Sequence, residues 1–194
     1  MYKEAIKDAI SMHELPSKWK SDLLVEANKV TNKKKTAKYR KDLRNLPFAT
    51  IDGEDAKDFD DAVYCIKNAS DYKLFVAIAD VSFYVEPGSK LDNEAKKRGT
   101  SIYFPGTVVP MLPESLSNGI CSLRPNEDRC SMICEMTISS DGKRKKYKFY
   151  SGLINSKARL TYNQVENHLR DKFYFRLFST WLLGNLAFEF IRPL

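Results

Sequence analysis

Apolar and charged positions alternate through residues 2–12 in a way that predicts a short helix, and Pro16 separates it from a second helical stretch around Trp19 to Val30. At Leu46 the rhythm changes. Phe48, Ala49 and Ile51 predict a short apolar strand that delivers Asp52 at its end. Ala62–Ile66 and Tyr72–Ala79 then predict two strands joined through the turn-forming residues Asn68 to Asp71, a hairpin. The second strand contains LFVAIA, apolar on both faces, and such a strand is expected at the centre of a sheet that is covered on both sides.

Further along, Ser89 and Asp92 match a capping box opening a helix through Arg98, with Gly99 placed to end it. Pro105, Gly106, Pro110 and Pro113 predict an irregular loop, long enough to be a candidate functional surface. Met132, Cys134, Met136 and Ile138 alternate with Ser131, Glu135, Thr137 and Ser139, which is the period of a strand. Asp141-Gly142 supplies a hairpin turn before the basic and aromatic stretch KRKKYKFY, and Thr161 with Gln164 matches another capping box. The pattern as a whole predicts a mixed α/β fold, with a mixed or antiparallel sheet packed by helices. Residues 1–45 form a helical lead-in with a basic linker, residues 46–172 the sheet-bearing body, and residues 173–194 an apolar, helical C-terminal tail. That tail crowds Phe173, Tyr174, Phe175, Phe178, Trp181, Leu182, Leu183, Leu186, Phe188, Phe190 and Ile191 together, so it needs a packing partner. A membrane-surface helix is the alternative, though Arg176, Glu189 and Arg192 give it only a thin polar face.

Composition adds bounds. The 194 residues are 43% hydrophobic and 12% aromatic, enough for a real core and too apolar for a disordered polymer. No apolar run approaches the length of a membrane span, and the N-terminus is too interrupted by charge for a secretory signal, so a cytoplasmic protein with no membrane partner is expected. Cys65, Cys121, Cys130 and Cys134 form no CxxC pair and stand far from His13 and His168. Small thiols in a reducing compartment account for them better than zinc does. Lys29, Lys33, Lys34, Lys35, Lys38, Arg40 and Lys41 form a basic run that suits either an exposed linker or a nucleic-acid contact.

The formal charge of +7 conceals two unlike parts: residues 52–61 hold six carboxylates against one lysine, net −5, while the other 184 residues carry +12. A basic body around one acidic focus fits a polyanion-binding surface around a cation-binding centre. In TIDGEDAKDFDDA the carboxylates Asp52, Asp58, Asp60 and Asp61 can be grouped. Two unit charges about 4 Å apart repel by roughly 4 kcal/mol at an effective dielectric of 20. A hard divalent cation relieves that repulsion, and an all-oxygen donor set favours Mg²⁺, Mn²⁺ or Ca²⁺, with Mg²⁺ first. An EF-hand register fails from either start: Asp58 as its first position puts Val63 where glycine is required, and Asp52 puts Lys57 there. Gly53 is expected to let the chain turn after the strand, and Phe59 to bury its ring so that Asp58 and Asp60 face a common space. Aspartate clusters holding two Mg²⁺ ions are a recurring solution to phosphodiester hydrolysis.

LRNLPFATIDGEDAKDFDDAVYC, followed by VAIADVSFYVEPGSKLDNEAKKRGTSIYFPGTVVPMLPESLSNGICSL, closely resembles the RNB catalytic domain of the ribonuclease II/R family, from about Arg40 to about Val165. The resemblance implies a Mg²⁺-dependent, processive 3′-to-5′ exoribonuclease, with Mn²⁺ as a possible substitute, that hydrolyses single-stranded RNA to nucleoside 5′-monophosphates and does not take DNA. It implies that Asp52, Asp58, Asp60 and Asp61 are the four catalytic, metal-binding aspartates, Asp60 being the one whose loss most directly abolishes cleavage. It also implies that Tyr103, in GTSIYFP, stacks on a base near the RNA 3′ end. Arg98, Lys97 and Lys96 suit phosphate contacts and suit a solvated helix end equally well. The family's later SPIRRY-type segment and its flanking OB-type RNA-binding domains have no counterpart, so the expectation is the N-terminal, metal-binding portion of an RNB domain. The competing reading is a catalytically inactive RNA-binding or interaction module derived from such a domain. An acidic turn without function in an unrelated α/β protein is the third.

Overall fold

The computed structural model describes residues 2–32 and 39–170. Lys33, Lys34, Lys35 and Lys38 of the basic run, and the apolar tail from Phe173 onward, lie outside the described residues. In chain order come α1 (Tyr2–Met12), α2 (Ser21–Thr31), β1 (Lys41–Asp42), β2 (Ala49–Asp52), β3 (Asp61–Asn68) and β4 (Asp71–Ala79). After a single turn at Val81–Phe83 follow α3 (Lys90–Arg98), β5 (Ile102–Phe104) and β6 (Thr107–Val109). An irregular helical turn at Ser115–Ile120 then leads to β7 (Asp128–Ser139), β8 (Arg144–Asn155), β9 (Ala158–Thr161) and α4 (Tyr162–Arg170).

Two compact units share the described residues, one from residues 2–32 and 81–120, the other from residues 39–80 and 121–170. The second holds a seven-stranded sheet in the order β1-β8-β7-β4-β3-β2-β9. Its inner ladders are antiparallel, while β9 runs parallel to β2 and β1 parallel to β8. This is the expected mixed α/β fold with its mixed sheet. The expected hairpin is present, with Asn68 opposite Asp71 and Ala69 in the left-handed region at φ +54°. The capping box at α4 is reciprocal: Gln164 N donates to Thr161 Oγ1 at 3.1 Å, and Thr161 N donates to Gln164 Oε1 at 2.8 Å.

The strand carrying LFVAIA, β4, is fourth of seven and therefore central, as its composition predicts. Among the described residues its cover is fuller on one side. Phe75, Ala77 and Ala79 are buried, and Phe75 joins Phe48 and Tyr64 in an aromatic cluster with ring centroids 5.7–6.4 Å apart. On the opposite face Leu74 and Val76 are only half-buried and Ile78 is 46% exposed, so the expectation of cover on both sides is corrected.

The strand β7 keeps the expected period of two and buries the face richer in polar residues. Ser131, Ile133 and Glu135 lie inside while Met132 is 40% exposed. Polar groups tolerate burial when they are satisfied, which holds for Glu135 but not for Ser131, whose Oγ has no hydrogen-bond partner. Glu135 is surrounded by Lys148 at 3.2 Å, Lys73 at 3.5 Å and Lys41 at 3.8 Å, and accepts a 2.7 Å hydrogen bond from Tyr150 Oη. Burial acts to raise its pKa, and the hydrogen bonds from Tyr150 and Lys148 outweigh it, holding the carboxyl below its ordinary range. Arg40, placed by sequence in the exposed basic run, is a second correction. Its side chain is 8% exposed, with Nη2 2.6 Å from Asp80 Oδ2. The ion pair with Asp80, and the pairing of the following β1 with β8, fix it against the sheet rather than in a linker.

The first unit contains α1, α2, α3 and the β5–β6 hairpin. Ser89 Oγ accepts from Asp92 N at 3.1 Å at the start of α3, and Gly99 closes it at φ +74°, both as expected. The segment expected as an irregular loop is in part this hairpin. Phe104 faces Thr107 across a two-residue turn, with Pro105 leading and Gly106 at φ +71°, and that Pro-Gly pair is what makes the tight turn.

Gly152 on β8 shows how tightly the sheet is packed. A Cβ added there would stand 2.6 Å from Ile133 Cγ1. Gly152→Ala is therefore expected to destabilise the protein by about 1–3 kcal/mol through overpacking. Chemical denaturation checks this, and an unchanged midpoint would refute the close contact.

Candidate active site

The sequence from Asp52 to Asp61 leaves the sheet at the end of β2 and re-enters it at the start of β3. Between them the backbone is held from several sides. Gly53 O accepts from Ala56 N at 3.2 Å, closing a turn. Phe59 N donates to Ser122 Oγ at 3.0 Å, Phe59 O accepts from Leu123 N at 2.8 Å, and Ser122 Oγ donates to Lys57 O at 3.0 Å. Asp60 O accepts from Ala79 N at 2.8 Å. Ser122 is itself fixed, since its carbonyl accepts from the buried Arg129 Nε at 2.7 Å. Phe59 buries its ring as expected. The chain turns after the strand at Gly53 as expected, though the glycine's φ lies outside the left-handed region and nothing stands within 4 Å of a Cβ placed on it, so the turn does not depend on glycine.

Arg159 of β9 supplies a strap that the sequence did not announce. Its Nη2 donates to Gly53 O at 2.6 Å and to Glu54 O at 2.7 Å, and its guanidinium lies 5.7 Å from the Phe59 ring centroid. The parallel pairing of β2 with β9 sets this geometry, because it places Thr50 beside Arg159 and Asp52 beside Thr161.

The loop gathers Asp52, Asp58, Asp60 and Asp61 into electrostatic contact. Burial pushes the Asp60 carboxyl above its ordinary pKa, and the charges of Asp58, Asp61 and Asp52 push it further. Asp52 is raised by burial and by Asp61 and Asp58, with Arg159 opposing the shift. Asp52 Oδ2 is buried without a hydrogen-bond partner. Such an oxygen requires a cation or donor that the side chains around it do not provide. Among the described residues no three carboxylate, imidazole or thiolate groups stand close enough to form a closed metal-ligand set. The four aspartates thus share a rim and a field without being drawn together.

The RNB domain family model matches residues 40–175. The chain belongs to the RNB domain family. Ribonuclease R of Escherichia coli K12 is 53% identical over 164 residues, covering 83% of this chain and 20% of that protein. Ribonuclease R of Mycoplasmopsis pulmonis is 55% identical over 133 residues, covering 69% of this chain and 18% of that protein. The chain therefore spans about a fifth of the length of these curated relatives. Mycoplasma genitalium RNase R, solved in complex with double-stranded RNA, superposes with a TM-score of 0.82 at 39% identity, over 87% of this chain and 30% of that one. The fold alone is shared with the yeast pseudonuclease Ssd1, at a TM-score of 0.64 and 21% identity.

The remaining sequence-chosen residues of this RNB chain lie in its other unit. Tyr103, on β5, is 67% exposed. Lys96 and Lys97 are exposed at the end of α3, with Lys96 paired to Asp92 at 2.6 Å. Arg98 is neither a free phosphate contact nor a solvated helix end. Its side chain is 2% exposed, pairs with Glu94 at 3.0 Å, donates to Pro110 O at 2.9 Å and Lys18 O at 3.1 Å, and stacks 3.5 Å over the Trp19 ring. Arginine's five donors and flat face suit such a structural joint, which corrects its place among RNA ligands. Sequence reasoning missed Arg159, Ser122 and Arg129. Ser122 follows the SNGI stretch and Arg159 precedes a capping box, so neither carries a spacing signal toward the aspartates.

Because Asp52 and Asp60 have raised pKa values, the native state retains protons that the unfolded chain releases above the ordinary carboxylate range. Cation-free protein is expected to lose stability as pH rises through the raised values and to regain it on return to the ordinary range. Asp60→Asn in EDTA is expected to melt a few degrees above wild type near neutral pH, with the gap shrinking on acidification. Thermal melts across pH check this, and a lower melting temperature for the variant at every pH would contradict it.

Proposed function

We propose that this RNB-family chain carries the cation-binding centre of a 3′-to-5′ exoribonuclease, acting in the cytoplasm on single-stranded RNA and not on DNA, and releasing nucleoside 5′-monophosphates. The observation that supports this most is the strapped loop that holds four aspartates on one rim and leaves Asp52 Oδ2 buried without a partner. The donor set is all oxygen and net negative, which fits Mg²⁺, with Mn²⁺ as a substitute. Asp52, Asp58, Asp60 and Asp61 would hold the ions. Once bound, the ions would activate water and stabilise the attacking and leaving oxygens of a phosphodiester.

The chain's own residues do the positioning. Arg159 ties the backbone at Gly53 and Glu54, while Ser122 and Leu123 tie the backbone around Phe59, so the carboxylates on either side keep their orientation. The exposed ring of Tyr103 suits stacking on a base without regard to its identity, and Lys97 suits a phosphate. The RNA complex of the Mycoplasma genitalium relative supports an RNA ligand. A second reading, an RNA-binding module without catalysis, is favoured by one observation: the described carboxylates form no closed ligand set.

The two readings separate in a chimera in which this chain replaces the matching 164 residues of the Escherichia coli ribonuclease R. Given 5′-labelled single-stranded RNA and Mg²⁺, the chimera is expected to shorten the RNA from its 3′ end. Asp60→Asn in the same chimera is expected to abolish shortening while RNA affinity stays within about threefold of the parent. A silent chimera that still binds RNA would favour the module, and turnover surviving Asp60→Asn would displace the assignment of the centre.

A further inference from the structure

KRKKYKFY, a motif that the aspartate centre leaves unused, runs from Lys143 into the first half of β8. Residues 144–149 are all exposed. The neighbouring β1 reaches only Gly152 and Leu153, so this half of β8 keeps one hydrogen-bonding edge open among the described residues. Tyr147 is 57% and Phe149 65% exposed, with their ring centroids 5.7 Å apart edge to face, and the Arg144 guanidinium lies 4.8 Å from the Tyr147 centroid. Lys143, Lys145 and Lys148 are paired with Asp141, Asp71 and Glu135. Arg144 and Lys146 have no ion pair among the described residues, so their charge is available to a ligand.

Lysines on an open strand edge guard against association with another strand. Two adjacent aromatic rings in the open work against that purpose, since they add apolar surface to the edge being guarded. Cations interleaved with exposed rings meet a different need: bases stack on the rings, and phosphates meet the cations. We propose that residues Arg144 to Phe149 form a second RNA contact, which takes single-stranded RNA without sequence preference, Tyr147 and Phe149 stacking bases while Arg144 and Lys146 meet phosphates. The proposal rests on the reading that this chain works on RNA. The registers place Tyr147 three strands and four residues away from Asp61, roughly 20 Å by strand spacing, so the ribbon engages nucleotides other than those at the aspartates.

Fluorescence anisotropy of a 5′-labelled oligouridylate with the whole chain in EDTA reads this contact without turnover. Tyr147→Ala combined with Phe149→Ala is expected to weaken binding about 25-fold or more, by about fivefold or more for each stack lost. Tyr147→Phe with Phe149→Tyr is expected to retain wild-type affinity, and Lys146→Gln to flatten the log–log salt slope by about 0.7. Photocross-linking of 5-iodouracil RNA to the wild-type chain is expected to mark Tyr147 or Phe149, and it decides the question if the alanine variant fails to fold. Wild-type affinity in a folded double alanine variant, or cross-links confined to Tyr103, would overturn the ribbon and leave the exoribonuclease reading standing. RNA binding that depends on the ribbon in a chain whose chimera never shortens RNA would do the reverse. Self-association lost by the double variant with RNA affinity unchanged would mark the ribbon as a protein-binding surface and overturn the proposal.

Discussion

Carboxylates part-buried on one sheet rim, and repelling one another there, are the constraint around which this RNB chain is organised. Left in a solvated turn, Asp52, Asp58, Asp60 and Asp61 would move apart at little cost. Here both ends of the loop are strand residues, and its middle is tied to Ser122, Leu123, Ala79 and Arg159. The loop therefore stays where its charges are least comfortable, with Asp52 and Asp60 both raised in pKa. A site of this kind stores an electrostatic demand that a divalent cation can answer, and the scaffold around it is what keeps the demand from relaxing away.

The scaffold in turn depends on polar burial. Arg129 holds Ser122, Arg40 holds Asp80 at the end of the central strand, and Glu135 is satisfied by Tyr150 and three lysines. Each of these lies on the sheet unit and converts a costly buried group into a positioning device. On the opposite face Leu74, Val76 and Ile78 of β4 and Met132, Cys134 and Met136 of β7 stay partly exposed, while Cys130 and Ile138 are buried. The buried polar groups of β7 thus share one face with the apolar core residues Phe75, Ala77 and Ala79 of β4.

Much of the fold was legible because local signals agreed. Period-two patterns, the two capping boxes and the Asp141-Gly142 turn each marked an element that the structure contains, and LFVAIA marked the central strand. What the sequence concealed has common physical causes. Alternation gives the period of β7 but not which face is inward, since that depends on whether Glu135 finds partners from strands distant in sequence. Arg98 and Arg40 read as solvated cations because their acceptors, Lys18 O and Asp80, are brought close only by folding. The aspartates were legible as a group by charge density. Arg159, about a hundred residues later, joined them only through the parallel pairing of β2 with β9. Among the described residues no helix is long and apolar enough to cross a membrane.

Everything else rests on the proposed uptake of a divalent cation by the aspartate loop. The direct measurement is the melting temperature of the 194-residue chain as a function of Mg²⁺ concentration, with Ca²⁺-free Na⁺ buffer of matched ionic strength as reference. Binding to the native state alone raises stability by RT ln(1 + [Mg²⁺]/Kd), about 2.7 kcal/mol at a hundred times Kd. The expected result is a melting temperature that climbs with log[Mg²⁺] in wild type and stays flat when Asp52 and Asp60 are both replaced by Asn. A wild-type melting temperature unmoved by millimolar Mg²⁺ or Mn²⁺ would contradict it.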